Sequence, residues 1–373
     1  MAGIYIHIPF CKQKCHYCSF HFSTTFEKYR RRMINAILTE IELDSTTLDE
    51  QVETIYFGGG TPSLLSEKEL NSILSSIQKN YKVLEKAEIT LEANPDDITK
   101  EKAQLWNKIG INRLSIGVQS FFDEDLKMMN RAHNSNQANT AIQIIKEIGF
   151  TNYSVDLMFA LPELSNKNWI NNLNTLIELK APHLSCYNLT IEEQSALVKM
   201  IKKGKIPSLS ESKSLQQFDL LMKMMSDAGY EQYEISNFCL PDFKSKHNSA
   251  YWNQIPYLGF GPSAHSFING NRYFNVAHNM NYIKGVENKT NFRDQEFLSN
   301  ENRFNEYILT KLRCSEGISN SFLRENFPSF LNQFTLAIQQ QKENETIQIT
   351  EDAIKLTKKG KFIADQVAME LFV

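Results

Sequence analysis

Three cysteines close to the N-terminus are the strongest chemical signal in the chain. They stand at Cys11, Cys15 and Cys18 in the stretch CKQKCHYCSF, and Phe20 occupies the position where a fourth cysteine would continue the pattern. Thiolates bind soft metals, and three of them spaced C-x3-C-x2-C on a loop after a strand can hold three irons of a [4Fe–4S] cluster. The fourth iron is then open to an exogenous ligand, as in open zinc sites. We therefore predict that these cysteines are metal ligands.

A zinc site is the alternative that this loop leaves open. His16 and His21 lie beside the cysteines, and His21 could complete a Cys3His set. The remaining thiols, Cys186, Cys239 and Cys314, are scattered along the chain and are typical of buried, inert cysteines.

A glycine-rich turn and several polar residues add to the signal. The turn Gly58-Gly59-Gly60-Thr61-Pro62 would let bare backbone groups contact a small ligand. Glu92 and Asp156 are carboxylates in predicted strands, where burial is costly without a partner, so we favour a functional role for them. Arg131, in the string NRAH, is also compatible with an ordinary helix salt bridge, and Gln119 alone carries no signal.

The elements that must position these residues are alternating strands and helices. Short β-rich runs occur at 3–10, 54–60, 87–95, 113–120, 153–162 and 183–192. Helical spacing of apolar residues covers 26–42, with Thr24 or Thr25 able to cap its start, and similar patterns cover 67–81 and 123–148. Repeated strand–helix units predict parallel strands, either in an open doubly wound sheet or in a full or partial barrel. In both, functional residues collect at the carboxyl ends of the strands.

The strand–helix rhythm stops near residue 205. We predict three units: a barrel over 1–205, a bridging segment over 206–295, and a smaller, mainly helical, winged-helix-like domain over 296–373. Within the bridging segment, residues 212–228 are expected to form an amphipathic helix and residues 233–270 to be aromatic-rich and irregular. In the last unit, IQIT is expected to be a strand, followed by a turn at Gly360 and a closing helix.

Composition narrows the class of protein. The 373 residues are 42% hydrophobic and 22% charged, with a formal net charge of -3, as in an ordinary globular protein. This balance does not favour a nucleic-acid partner, which would select a basic face. Apolar runs fall short of the roughly 18 residues that span a bilayer, and the N-terminus has no secretory pattern. We predict a cytoplasmic location.

The cysteine loop and the glycine turn together resemble the radical S-adenosylmethionine superfamily. The strings that carry the resemblance are IHIPFCKQKCHYCSF and YFGGGTPSLL. It implies an α/β fold with a partial (β/α)6 barrel, a [4Fe–4S] cluster, and S-adenosylmethionine bound to the open iron. It also implies that an electron from the cluster cleaves this ligand to a 5′-deoxyadenosyl radical.

A closer resemblance, over nearly the whole chain, is to the oxygen-independent coproporphyrinogen III oxidase-like family. The strings LEANPDD, RLSIGVQSF, LKMMNRAH, VDLMFALP, HNSAYW and GFGPSAHSF carry it. It implies that a first S-adenosylmethionine site contains Tyr5, Gly59, Gly60, Thr61 and Glu92, and that Tyr17 contacts or shields the cluster. It further implies polar groups for a second S-adenosylmethionine at Gln119, Arg131 and Asp156.

Within that family the chain is similar to the haem-chaperone branch. The oxidases carry a fourth cysteine at the position of Phe20 and a longer N-terminal arm, whereas the haem-chaperone branch has phenylalanine there and an H-N-x-x-Y-W motif, here beginning at His247. This implies haem as cargo, haem-accepting respiratory proteins as partners, and peripheral association with the cytoplasmic membrane, as a monomer or a haem-linked dimer. Whether the chain is an enzyme stays open: oxidative decarboxylation of a porphyrinogen and radical chemistry on another substrate are the alternatives.

The motif is chemically suited to haem. A histidine Nε2 is a good axial ligand, so we predict His247 as the haem ligand, with His265 as a second candidate. Tyr251 and Trp252 could stack on the macrocycle and present polar tips to its propionates. His7, on the first strand, is expected to be structural or close to the cluster.

Overall fold

The computed structural model describes residues 1–191 and 195–373. Its centre is a set of parallel strands that the sequence predicted in number and approximate position; residue 192, the last of the sixth predicted strand, lies outside the described residues. The strands are β1 (Ala2–Ile8), β2 (Val52–Gly59), β3 (Val83–Ala93), β4 (Arg113–Gln119), β5 (Tyr153–Phe159) and β6 (His183–Asn188).

The order of these strands decides between the two predicted architectures. They pair in parallel in the sequential order β1-β2-β3-β4-β5-β6, without the reversal that defines a doubly wound sheet. One cavity is lined by side chains from all six of them, so the sheet curves around a lumen. The arrangement is therefore the predicted partial (β/α)6 barrel.

Side chains alternate along each strand between the lumen and the helices. In β1, Ile4, Ile6 and Ile8 are fully buried in the apolar core, whereas Tyr5 lines the lumen. Parallel strands covered on both faces usually read as continuous apolar runs. Here the side chains that face the lumen are largely polar, because they border an open cavity and not a packed apolar core.

Helices cover the outside of the barrel. They are α1 (Arg30–Leu43), α2 (Glu67–Asn80), α3 (Lys100–Lys108), α4 (Asp123–Met128), α5 (Ser135–Ile148) and α6 (Asn166–Glu178), with short 3-10 turns at Pro62–Leu64 and Pro95–Asp97. Tyr29 is the N-cap residue of α1, and its side chain makes no capping hydrogen bond. The predicted cap at Thr24 or Thr25 is therefore wrong.

The helix predicted over 123–148 is interrupted. Asn134 starts a new helix by accepting a hydrogen bond from the backbone of Gln137, while the Gln137 side chain accepts one from the Asn134 backbone. This reciprocal cap ends the continuity between α4 and α5. The connector that results, residues 129–134, turns back toward the cysteine loop.

The segment after residue 205 is more regular than the sequence suggested. It contains α8 (Glu211–Asp227), preceded by α7 (Ala196–Lys202), and then β7 (Glu231–Gln232), β8 (Asn237–Cys239), α9 (Lys246–Trp252), β9 (Tyr257–Phe260), β10 (His265–Ile268), β11 (Asn271–Asn275), α10 (Asn279–Asn288) and β12 (Arg293–Glu296). The helix predicted over 212–228 is confirmed by α8, whereas the prediction of irregular structure over 233–270 is wrong, because the strands there are short and lack period-2 patterning. They extend the sheet on both sides, to give the order β12-β11-β10-β9-β1-β2-β3-β4-β5-β6-β8-β7.

A buried carboxylate fastens this extension to the barrel. Glu40 on α1 is fully buried and accepts hydrogen bonds from Tyr282, Asn275, the backbone of Gly261, and Arg293 at 2.7 Å. Burial raises the pKa of Glu40, and the guanidinium of Arg293 opposes that effect.

The C-terminal residues form a second apolar cluster with winged-helix topology. The elements are α11 (Asn300–Leu312), β13 (Ile318–Ser319), α12 (Asn320–Asn326), a 3-10 turn (Pro328–Phe330), α13 (Leu331–Glu343), β14 (Ile347–Ile349), β15 (Ala353–Leu356), α14 (Lys358–Phe362) and α15 (Ala364–Glu370). The three strands pair in the order β13-β15-β14. Gly360 lies inside α14, so the turn predicted there is wrong. The unit boundaries at 205 and 295 stay predictions.

Across the described residues, no helix is both long and apolar enough to cross a membrane.

Candidate functional site

The cysteine loop leaves the carboxyl end of β1 and is fastened to distant parts of the chain. The backbone N–H of Cys11 donates to Ser23. Lys12 pairs with the buried Asp97 at 2.5 Å and with Asp96 at 2.6 Å, which ties the loop to the turn after β3. These contacts hold the first cysteine over the end of the sheet.

The connector between α4 and α5 interlocks with the same loop. Gln13 donates to the carbonyl of Asn130 at 2.8 Å, and the Asn130 amide donates to the carbonyl of Lys14 at 2.7 Å. The His16 ring bonds the carbonyl of Met128 at 2.7 Å. Three hydrogen bonds across more than a hundred residues of sequence therefore fix the shape of the loop.

One cavity of about 510 Å³ collects most of the predicted site residues. It lies at the carboxyl ends of the parallel strands, as expected for this architecture. The predicted residues that line it are Cys11, Cys15, Tyr17, Cys18, Gly59, Gly60, Thr61, Glu92, Gln119, Arg131 and Asp156. Phe20 also lines it, and 72% of its surface is exposed. The structure thus brings these residues together, while it places Tyr5 and His247 elsewhere.

The glycine turn packs directly under the cysteine loop. A Cβ at Gly60 would lie 2.7 Å from the carbonyl oxygens of both Ile8 and Phe10, so only glycine fits there. Gly59 has φ +102°, in the left-handed region that favours glycine. The Thr61 hydroxyl beside the turn donates to the sulfur of Cys11 at 3.5 Å.

Arg131 joins the cysteine loop to the barrel. Its guanidinium donates to the Asn94 side chain at 2.6 Å and to the carbonyl of Gly117 at 2.8 Å. It also reaches the sulfur of Cys15 at 3.5 Å and the hydroxyl of Tyr17 at 3.3 Å. No carboxylate of the described residues pairs with Arg131, so the structure does not contain the helix salt bridge that was the alternative for this residue.

Two carboxyl groups at the cavity have perturbed acidity. Burial raises the pKa of Glu92 to about 7, although the hydroxyl of Tyr56 donates to it at 2.8 Å. Burial likewise raises the pKa of Asp156 to about 6, with hydrogen bonds from Ser185 and Ser115 acting in the opposite direction. Both groups therefore change charge close to neutral pH, which is typical of functional sites.

Gln119 has a strained backbone. Its φ is +67°, a conformation uncommon outside glycine, and it ends β4 at the cavity wall. Strain of this kind persists where surrounding structure enforces it and is concentrated at functional sites. The sequence alone gave Gln119 no signal, and its φ supplies one.

The residues present fit an iron–sulfur cluster. Three thiols border one cavity, and burial raises the pKa of the Cys11 thiol to about 12, so a metal that replaces the proton has to drive its release. Within residues 1–191 and 195–373, no three His, Cys, Asp or Glu side chains converge on a point that would hold a single ion. A cube does not require such convergence, because each thiolate binds a different iron. The predicted zinc alternative would use His21, whose Nε2 instead bonds Asn279 at 2.7 Å.

Tyr5 and His247 border a second cavity inside the barrel. The His247 ring is buried, with Nδ1 2.7 Å from the hydroxyl of Thr54 and Nε2 2.9 Å from that of Tyr251. Its ring stacks on Tyr56 with centroids 5.0 Å apart, and burial lowers its pKa to about 3. A ligand at either ring nitrogen would therefore have to replace one of these two hydrogen bonds.

The other histidines have distinct surroundings. His265 is exposed at the start of β10, where its ring stacks on Phe274 with centroids 5.8 Å apart. His7 bridges the hydroxyl of Tyr5, at 3.2 Å, and the backbone carbonyl of His21, at 2.8 Å. Its place beside the cysteine loop agrees with the structural position expected for it.

Sequence reasoning missed the residues that organise the loop from outside. Asp97 and Asn130 bond the loop directly, and Asn94 holds the Arg131 guanidinium that contacts it; none of the three was singled out individually. The string LEANPDD, which follows a predicted strand and contains two of them, was the available signal.

Comparison with known protein families agrees with this architecture. The family described as the radical SAM superfamily matches residues 5–176, and the HemN C-terminal domain family matches residues 298–363. Among solved structures, the chain is similar to coproporphyrinogen III oxidase (HemN) from Escherichia coli, with a TM-score of 0.87 and 22% identity, covering 100% of this chain and 90% of that one. At this identity the likeness concerns the fold.

Curated relatives are more similar in sequence. The chain is 34% identical to the heme chaperone HemW of Bacillus subtilis over 371 residues, which covers 98% of each chain. It is 34% identical to the protein of the same name from Lactococcus lactis, covering 84% of this chain and 82% of that one. The Escherichia coli protein of that name is also 34% identical, covering 71% and 70%.

Proposed function

The chain belongs to the HemW family of radical SAM proteins, and on that basis we propose that it is a haem chaperone, which binds haem and delivers it to haem-dependent respiratory membrane proteins. The observation that carries the proposal is the 34% identity to the heme chaperone of Bacillus subtilis over 98% of both chains. We place this activity in the cytoplasm, with peripheral contact at the cytoplasmic membrane.

The position after the cysteines supports a carrier over an oxidase. Phe20 stands where the resembling oxidases have a fourth cysteine, and its ring is exposed beside the cavity. An exposed aromatic side chain is suited to contact a flat apolar ligand or a partner.

The proposal includes two cofactors. Cys11, Cys15 and Cys18 would hold a [4Fe–4S] cluster, with Arg131 and Tyr17 beside it. S-adenosylmethionine would lie in the same cavity, near the glycine turn and Glu92. When both are bound, they supply the capacity for one-electron chemistry; the residues around them position the loop, present backbone groups and hold a titratable carboxyl at Glu92.

A paired assay tests this function. Protein reconstituted anaerobically with iron and sulfide is titrated with haem and, separately, incubated with coproporphyrinogen III, reductant and S-adenosylmethionine. We expect a haem Soret band shift that saturates at a fixed ratio of haem to protein, and no protoporphyrinogen IX. Formation of protoporphyrinogen IX would assign the chain to the oxidases, and haem that binds no more tightly than to an unrelated protein would remove the chaperone function.

The proposed role of His247 as haem ligand has its own test. His247→Ala and His265→Ala are compared for haem affinity and for the Soret maximum, with His278→Ala, an exposed residue, as control. His247→Ala is expected to lose affinity for haem and to shift the Soret maximum, because it removes the proposed axial ligand. If His247→Ala bound haem with the parent's affinity and spectrum, the axial ligand would lie elsewhere.

A further inference from the structure

The inner cavity of the barrel is lined by polar and charged residues together with several tyrosine rings. It measures about 220 Å³ and is bounded by the residues Tyr5, Tyr56, Glu92, Arg113, Ser115, Ser154, His183, Ser185, Tyr187, Asn237, Ser245, His247, Asn248 and Tyr251. Each of these side chains carries a nitrogen or oxygen atom. Empty cavities in proteins are apolar, and polar ones are filled. This cavity is therefore built to hold something hydrophilic.

Arg113 is the principal charge in that lining. Its side chain is only 2% exposed, at the amino end of β4. Among the described residues the guanidinium donates one hydrogen bond, to the Asn152 side chain, and no carboxylate lies within salt-bridge distance of it. A buried guanidinium with most of its N–H groups unpaired is costly unless an anion or water accepts from them.

Asp156 lies close enough to Arg113 for the guanidinium to lower its pKa, but no carboxylate among the described residues bonds the guanidinium directly. Asp156 is oriented toward the hydroxyl of Ser115, at 3.2 Å, and Ser115 in turn accepts from Ser154 at 3.0 Å. Glu92 accepts from Tyr56 at the opposite end of the cavity. Asn152 is thus the only acceptor among the described residues that bonds the Arg113 guanidinium.

The neighbours of Arg113 can complete an anion site. His183 Nε2 lies 2.8 Å from the hydroxyl of Tyr233, which is also within reach of the Asn248 amide at 3.4 Å. His183 Nδ1 has no hydrogen-bond partner among the described residues, and when the proton of the neutral ring sits on this nitrogen it is a free donor beside Arg113.

We propose that the inner cavity is a receptor for a small oxyanion, a carboxylate or a phosphate group, held by the guanidinium of Arg113. A planar guanidinium matches both groups with two parallel hydrogen bonds. Glu92, Ser115 and Tyr187 line both this cavity and the one at the cysteine loop, so these three side chains form the wall that the two cavities share. The oxyanion is either a free ion or a carboxylate carried by a larger ligand, such as a haem propionate.

Calorimetric titration of the full-length protein with acetate and with phosphate tests the proposal, at constant ionic strength in a bulky sulfonate buffer. Arg113→Met removes the charge at similar volume, Arg113→Lys keeps the charge without the planar fork, and Arg324→Met is the control for loss of an exposed arginine. We expect Arg113→Met to weaken binding about tenfold or more, Arg113→Lys less, and Arg324→Met to leave it unchanged. Equal affinity in the parent and in Arg113→Met would overturn the proposal.

A second measurement serves if Arg113→Met does not fold. Crystals of the parent protein soaked in arsenate, a tetrahedral oxyanion with an anomalous signal, should show a peak within hydrogen-bond reach of the Arg113 guanidinium. A cavity that contains only water after the soak would refute the proposal.

Competition identifies the source of the oxyanion. Haem and haem dimethyl ester, which lacks free carboxylates, are each added before acetate. Displacement of acetate by haem but not by the ester assigns the site to a propionate. Acetate binding that persists with haem present assigns it to a free anion, and because this arm needs no haem, it stands even if the proposed haem function fails.

Discussion

The contacts of Arg131 give a quantitative prediction for the cysteine loop. Arg131→Met keeps the length of the side chain and removes hydrogen bonds of 2.6 Å to Asn94 and 2.8 Å to the Gly117 carbonyl, together with longer contacts to Cys15 and Tyr17. A hydrogen bond to a charged group contributes about 1.5–3 kcal/mol. Because the guanidinium borders a cavity that water can enter, part of that loss is recovered, and we expect about 2 kcal/mol for opening of the loop.

Hydrogen–deuterium exchange measures that free energy locally. The amides of Cys11 and His16, which donate to Ser23 and Met129, report on loop opening. A change of about 2 kcal/mol corresponds to roughly 30-fold faster exchange of these amides. Arg131→Lys should lie between the parent and Arg131→Met, since a lysine keeps the charge but not the fork.

The control is Arg324→Met on the surface of α12, which should leave exchange in the loop unchanged. Iron and sulfide content after reconstitution provides an independent readout, and we expect it to be lower in Arg131→Met. If the loop amides of Arg131→Met exchanged at the parent's rate and the cluster formed normally, the assignment of Arg131 as the link between loop and barrel would be wrong.

Three further predictions concern the stability of the fold and the packing of the cysteine loop. Burial raises the pKa of Glu92 to about 7 in the fold, so between about pH 4.5 and 7 this carboxyl is protonated in the native state and ionised in the unfolded state, and stability falls as pH rises through that window. Glu92→Gln should remove this loss, and its free energy of unfolding at pH 8, measured by chemical denaturation, should exceed the parent's by about 2 kcal/mol. Equal stability of the two proteins at pH 8 would contradict the prediction. Glu40→Ala leaves Arg293 without its fully buried partner and should cost about 3–5 kcal/mol, with increased protease cleavage between residues 257 and 296, whereas unchanged proteolysis would show that the network does not fasten this extension. Gly60→Ala forces a Cβ against two carbonyl oxygens 2.7 Å away and should reduce iron incorporation on reconstitution. Phe20→Ala changes an exposed residue of the same cavity and should alter the free energy of unfolding by less than about 0.5 kcal/mol. Full iron content in Gly60→Ala would refute the packing argument.

Local sequence was sufficient for the parts of the site that depend on local geometry. The cysteine spacing, the glycine turn and the strands that end near Glu92 and Gln119 are all short-range patterns, and their residues do line one cavity. Repeated strand–helix units indicated parallel strands, but they did not give the order of those strands, which is what separates a barrel from a doubly wound sheet.

Long-range pairing accounts for what was not predicted. The Thr54 hydroxyl that bonds His247 is 193 residues away in sequence, so no local pattern could indicate that the ring would be enclosed. The same holds for Asn130, whose positive φ and reciprocal bonds to the loop depend on a capped helix that starts after it. The short edge strands after residue 230 are defined by their partners in the sheet and not by their own periodicity.

The anchoring of the cysteine loop also sets the order of events during synthesis. The loop is made first, but its shape depends on hydrogen bonds with Met128, at the end of α4, and with Asn130 in the connector. It also depends on the bond from His21 to Asn279, 258 residues further along the chain. Ribosomes add about 5–20 residues per second, so the thiols emerge well before the segments that arrange them. Metal that arrives earlier meets a flexible peptide. Because only a nearly completed chain offers the arranged loop, the proposed cluster would be inserted after the chain has been synthesised.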